Sequence, residues 1–164
     1  MATQKIVVRH AIPADERALF DILIDLHRHG IQRLFPYDFG KVVAMIEGAT
    51  KQRGIIIGLV DAPDRDNYIA GMIRLSLEEW EWSRCAFIVM RQLYVREEYR
   101  KGTRYADALM KFGEEIREHF QEEVDYPVVL ESSYVQEDPR RLGVQDRFWG
   151  RWGRRVGSIF VSGL

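Results

Sequence analysis

Between Leu93 and Glu115 the chain reads LYVREEYRKGTRYADALMKFGEE, and the middle of this stretch gathers groups that hold an anion. An apolar run ends at Val95, a polar turn carries Arg100, Lys101, Gly102, Thr103 and Arg104, and helical spacing then begins. The first N–H groups of a helix have no internal partner and sit at the positive end of its dipole. A glycine lets the backbone approach a phosphate closely, and arginines add charge in a bidentate geometry. A pyrophosphate fits such a corner. Spacing alone is equally met by a surface helix capped by Thr103 beside solvated cations.

A second chemically loaded stretch lies near the carboxy terminus. Arg140, Arg141, Arg147, Arg151, Arg154 and Arg155 alternate there with Phe148, Trp149 and Trp152. Arginines between aromatics can grip single-stranded nucleic acid by phosphate contact and stacking. They also suit a core edge or a protein interface. Twenty-four Lys and Arg nearly cancel 25 Asp and Glu, for a formal charge of −1, so no chain-wide field holds a polyanion. A structural or homodimer role is therefore preferred over nucleic acid.

The elements that position these groups follow from periodicity. Lys5 to Arg9 reads as a strand, and Leu19, Phe20, Leu23, Ile24 and Leu26 as an amphipathic helix ending at His29-Gly30. A second helix passes through Val42, Val43, Met45 and Ile46. Gly54 to Asp61, Asn67 to Leu77 and Ser83 to Val95 form an antiparallel meander. Tyr105, Ala108, Leu109, Phe112, Ile116 and Phe120 share one helix face. Pro127 to Val135 is a further strand, Pro139 to Trp149 a short helix and Arg155 to Leu164 a closing strand. The order β-α-α-β-β-β-α-β-α-β combines a meander with one β-α-β crossover, which is α+β.

The 164 residues are 46% hydrophobic and 30% charged, which excludes disordered and fibrous classes and allows one domain over 1–164. The single Cys85 can close no internal disulfide and make no zinc knuckle, and its apolar surroundings predict an inert core thiol. Met1 to Arg9 lacks a signal-peptide apolar stretch, and runs such as Gly54 to Val60 fall far short of the roughly 20 residues of a membrane span. A cytoplasmic protein without a membrane partner is the expectation.

A strand, the pattern V-x-x-x-Y-R over Val95 to Arg100, a basic turn with Gly102 and an amphipathic helix together resemble the acetyl-CoA-binding motif of GCN5-related N-acetyltransferases (GNAT). The element order is similar to that fold over essentially the whole chain. The family signature Q/R-x-x-G-x-G/A is altered. Begun at Arg100 it places Thr103 and Tyr105 at the small positions, and begun at Lys101 it places Arg104 and Ala106 there. The form Gly102 to Ala106, with Lys101 as one extra residue, resembles phage-type and plasmid-type members.

The resemblance implies the acyl-CoA N-acyltransferase fold, a central mixed, mostly antiparallel twisted sheet flanked by helices. It implies acetyl-CoA as co-substrate, no metal, and transfer to a primary amine of a small molecule or protein by direct attack in a ternary complex. The splayed pair would be Gln92 to Val95 and Val128 to Ser133, with backbone groups at Leu93 and Val95 holding the pantetheine. Arg100, Lys101, Gly102, Thr103, Arg104, Tyr105 and Ala106 would hold the diphosphate.

Such chemistry must take a proton from an amine of pKa ~10.4, at a cost of roughly 4.6 kcal/mol at neutral pH. The carboxylates available are Glu78, Glu79 and Glu81 near the meander turn and Glu131 in an apolar strand, with Glu131 preferred and Glu79 next. His27 and His29, at a helix end that helps form the acceptor site in the family, are equally dipole partners. The family's usual acid is a tyrosine in F-Y-x-x-x-G-F. Phe148-Trp149 stands there instead, so Tyr134 or a water takes that role. Trp149 keeps a second reading open, an interaction protein of this fold without turnover, with or without CoA binding. A nucleic-acid-modifying acyltransferase is the third.

Overall fold

The structure, a computed structural model, describes residues 6–132 apart from 30–32, 34, 52 and 101, together with residues 147–152. The sequence reading treats 1–164 as one domain; by its contacts the chain divides into two compact units, Met1–Ser132 and Ser133–Leu164. In the second, residues 147–149 form a helical turn in which the Arg151 guanidinium lies 5.2 Å from the Phe148 ring. Tyr134, most of the helix expected from Pro139 and the strand expected over Arg155 to Leu164 lie outside the described residues.

In the first unit a short strand β1 (Arg9–His10) leads through a 3-10 turn at Pro13–Asp15 into α1 (Glu16–His29). Pro13 and Glu16 favour this helix start, and His27, Arg28 and His29 complement the dipole at its end. Helix α2 (Phe39–Thr50) is capped by Asp38, whose carboxylate accepts from the Lys41 amide at 3.1 Å. Strands β2 (Ile55–Asp61), β3 (Ile69–Glu79) and β4 (Ala86–Val95) make the antiparallel meander, and α3 (Arg104–Glu122) crosses to β5 (Leu130–Ser132). The sheet order is β1-β2-β3-β4-β5, with only β4 and β5 parallel.

Compared with the sequence reading, the first ladder covers only Arg9 and His10, and the last strand shrinks from Pro127–Val135 to Leu130–Ser132. Cys85 sits half-buried just before β4 rather than in the core.

Each face of the sheet has its own cover. Leu19, Ile22, Leu23 and Ile46 from α1 and α2 pack with Ile57, Leu59, Met72 and Tyr94. Each such fully buried aliphatic side chain contributes about 1.5–3 kcal/mol. The Tyr94 hydroxyl donates to Asp25 at 2.7 Å, and Arg96, itself buried, reaches the same carboxylate at 3.2 Å, which ties α1 to β4.

On the other face α3 approaches so closely that a Cβ at Gly58 would lie 2.7 Å from the Phe112 ring and 2.9 Å from Ile73. Gly58→Ala should therefore cost about 1–3 kcal/mol of overpacking, a fall of roughly 2–10 °C in the unfolding midpoint for a chain of this size. Scanning calorimetry of the variant checks this, and an unchanged midpoint would mean that α3 does not sit so close.

Candidate active site

The parallel ladder between β4 and β5 pairs Ile88 with Leu130, Val89 with Glu131 and Met90 with Ser132. Strand β4 then runs on to Val95 with no β5 partner among the described residues. The rest of the expected splayed partner, beyond Ser132, lies outside the described residues, and the gap that the resemblance implies would border β4 along Gln92 to Val95.

The β3–β4 ladder is irregular just beyond Met90. Arg74 pairs with Gln92 while Leu75 pairs with Met90, so Arg91 is an extra residue, a bulge. One added residue reverses the alternation of side chains. Phe87 and Val89 before it, and Gln92 and Tyr94 after it, therefore share the face covered by α1 and α2.

Beyond Val95 a 3-10 turn at Glu97–Tyr99 delivers the chain to the corner before α3. Gly102 has φ of 77°, the left-handed region that glycine adopts freely, and a Cβ there would meet no atom within 4 Å. The corner is open. Thr103 occupies the N-cap position but makes no side-chain cap, its hydroxyl lying 2.5 Å from Asp107 instead. Arg100, Gly102, Thr103 and Arg104 are exposed around this end, Tyr105 and Ala106 half-buried behind it; Lys101 lies outside the described residues. An anion's charge and oxygens match such a helix end.

One contact complicates the picture. The Arg100 side chain turns back so that Nε donates to the Val95 carbonyl at 2.6 Å, and its guanidinium lies 5.2 Å from the Tyr94 ring. Since a carbonyl has two lone pairs, a second donor can still reach Val95. Leu93 is half-buried and the Val95 side chain is buried, as packing residues beside a backbone site would be.

The sheet register sorts the carboxylates. Glu131 is exposed on β5, level with Val89 and Ser76 on the α1–α2 face of the sheet. Glu79 pairs with Ala86 at the far end of β3 and points to the opposite, α3 face. Glu78 does share the face of Glu131. Hydrogen bonds from Ser76 and from Arg91, together with the Arg91 charge, hold its carboxyl below the usual range. Of the three, Glu131 lies on the α1–α2 face and on β5, the last strand in the sheet order.

On the same face, α1, α2, β3 and β4 line an open cavity of about 280 Å³. Leu23, Leu26, Val42 and Met45 form its apolar wall, while His27, Tyr37, Arg74 and Gln92 line the rest. His27 Nε2 donates to the Phe35 carbonyl at 3.1 Å, and its ring stands edge-on to Tyr37 at 5.1 Å. His29 instead engages Asp25 outside the cavity, with Nδ1 2.9 Å from its carbonyl oxygen and 3.2 Å from its carboxylate. Sequence reasoning missed Tyr37 and Arg74, and it named Gln92 only as the start of the splayed strand. The one available signal was Arg74, a lone charge in the apolar run IAGMIRLSL.

Among the described residues no cluster of His, Cys, Asp or Glu could hold a metal, and no helix is long and apolar enough to cross a membrane.

No protein-family model and no curated protein matches the sequence. Solved structures do match. One described as a probable acetyltransferase superposes with a TM-score of 0.70 at 14% identity, covering 96% of each chain. A possible acetyltransferase from Clostridium difficile 630 gives 0.66 at 14% identity, covering 98% of this chain and 99% of that one. A transcriptional regulator from Bacillus halodurans C-125 gives 0.61 at 12% identity, with 98% and 99% covered. At such identities the likeness is one of architecture. The α+β acyltransferase fold that the resemblance to GCN5-related N-acetyltransferases implies is the fold of this chain.

Proposed function

We propose that this chain is an N-acetyltransferase that moves the acetyl group of acetyl-CoA to a primary amine by direct attack in a ternary complex. The observation that carries the reading is the exposed helix N-terminus of α3, reached from β4, the strand that pairs in parallel with β5. A diphosphate fits that corner, and the gap that the resemblance implies between the two strands would take an extended amide-bearing arm.

In the step itself the amine nitrogen forms a bond to the acetyl carbonyl carbon, the carbon–sulfur bond breaks, and its electron pair leaves on sulfur. The proton shed by the nitrogen passes to the Glu131 carboxylate, directly or through one water. The thiolate takes a proton from a hydroxyl or a water, the role the sequence reading gives to Tyr134. Tyr94 borders the gap but is unsuited to this, because burial and the hydrogen bond to Asp25 push its phenol up beyond the ordinary value.

A second reading has one observation in its favour. Arg100 engages a carbonyl that the pantetheine would use, as it would in a retired site plugged by its own side chain.

Thermal unfolding with acetyl-CoA separates the two. At one hundred times its dissociation constant a ligand adds about 2.7 kcal/mol, which raises the midpoint by roughly 5–10 °C. Such a rise, followed by CoA thiol release in the presence of amines, supports transfer. A midpoint unmoved by millimolar acetyl-CoA removes the enzymatic reading.

A further inference from the structure

The cavity leaves three polar atoms of its lining unmatched. The Tyr37 hydroxyl, the Arg74 Nε and the Gln92 amide oxygen are all buried without a hydrogen-bond partner. Buried polar groups are nearly always paired, since each orphan forfeits its hydration for nothing. Three in one cavity is a pattern that points to a ligand.

Arg74 is the sharpest case. It has no carboxylate partner among the described residues, and its Nη1 reaches only the Met45 sulfur, at 2.8 Å, a weak acceptor. Burial, reinforced by the charge of Arg91, holds its guanidinium below the ordinary value. A desolvated cation with no carboxylate partner, in a cavity that also buries an unmatched hydroxyl, is what a carboxylate would complete.

Geometry then restricts the rest of the molecule. Arg74 and Gln92 are directly opposite on adjacent strands, so their side chains leave the sheet side by side. The guanidinium takes an acid group and the amide oxygen accepts from an ammonium, with the two ligand groups only a few bonds apart. Gln92 lies on the strand bordering the gap, which turns the ammonium toward the acetyl group. The apolar wall of Leu23, Leu26, Val42 and Met45 remains for a hydrocarbon body, and about 280 Å³ is at the small end of ligand cavities. We propose that the acceptor is a free α-amino acid with an apolar side chain, its carboxylate on Arg74 and Tyr37 and its amino group on Gln92. This rests on the acetyltransferase reading for the transfer, but not for the binding.

Calorimetric titration of the full chain with leucine, methionine and phenylalanine, and with 3-methylbutylamine and 3-methylbutanoate, tests it without acetyl-CoA. At least one of the three amino acids should bind about ten to a hundred times more tightly than the two fragments of leucine. Arg74→Met should abolish that preference and leave 3-methylbutylamine unaffected, while Tyr37→Phe should weaken the amino acid several-fold. Circular dichroism confirms that each variant is folded, and Arg74→Lys, which keeps the charge, should retain part of the preference.

Failure of all three amino acids to bind, or an equally tight carboxylate-free amine, overturns the proposal. So does an Arg74→Met variant, folded, that still prefers the acid. If acetyl-CoA binds and is turned over with amines regardless of a carboxylate, this inference fails and the acetyltransferase reading stands. If leucine binds through Arg74 and acetyl-CoA moves no midpoint, the reverse holds.

Discussion

Replacing Glu131 with glutamine is expected to lower kcat about 10²- to 10⁴-fold while leaving the KM for acetyl-CoA nearly unchanged, because a general base acts on the amine and not on the CoA. The amide keeps the shape and the hydrogen-bonding oxygen but cannot take a proton. With a lysine-like test amine of pKa ~10.4, which deprotonates unaided as the pH climbs, the deficit should shrink about tenfold with each pH unit above about 7 until it closes. Initial rates of thiol release across that range check both parts. A constant deficit would mean that Glu131 positions the acceptor rather than removing its proton, and no deficit would move the base elsewhere on the face, first to Glu78. Glu79→Gln, on the opposite face, should behave as the unmodified protein.

The second large effect belongs to the corner before α3. Gly102→Val places a β-branched residue at φ of 77°, where such side chains are true outliers. No neighbouring atom would clash with the new Cβ, so the cost is local to the turn, about 1–2 kcal/mol of backbone strain, and the chain should still fold. The turn relieves itself by leaving the left-handed region, which re-aims the amides that would face the proposed diphosphate. Affinity for acetyl-CoA should fall about tenfold or more, read by titration, with affinity for the acceptor unchanged. Arg100→Met is the companion measurement. Weaker acetyl-CoA binding identifies Arg100 as a phosphate contact, and tighter binding identifies it as a plug on the Val95 carbonyl.

How far these features could be read from the sequence depended on the range of the interactions involved. The crossover from β4 through α3 to β5 was legible because the apolar period changes from 2 to 3.6 within a few residues of Val95, and such a signal is local. The position of the glycine corner at the start of α3 was legible for the same reason. The cavity was not. Its parts stand at 23–27, 36–45, 74 and 92, and only the antiparallel register of β3 on β4 brings the last two together.

The choice between Glu78 and Glu79 was equally out of reach, since neighbours in a strand face opposite ways and nothing in the residue types says which way is in. Cys85 misled because burial tendency is a property of the residue type, while its actual exposure comes from lying just ahead of β4, next to the Trp80–Trp82 turn.

The extra residue at Arg91 divides one strand into two economies. Upstream, Ile88 and Met90 answer to the sheet and to α3's side of the molecule; downstream, Gln92 answers to whatever small molecule the protein handles. Ile88→Ala or Met90→Ala should therefore register as altered melting, whereas Gln92→Ala, one residue past the bulge, should register as altered selectivity, with the buried Tyr94 and Val95 beyond it still belonging to the scaffold.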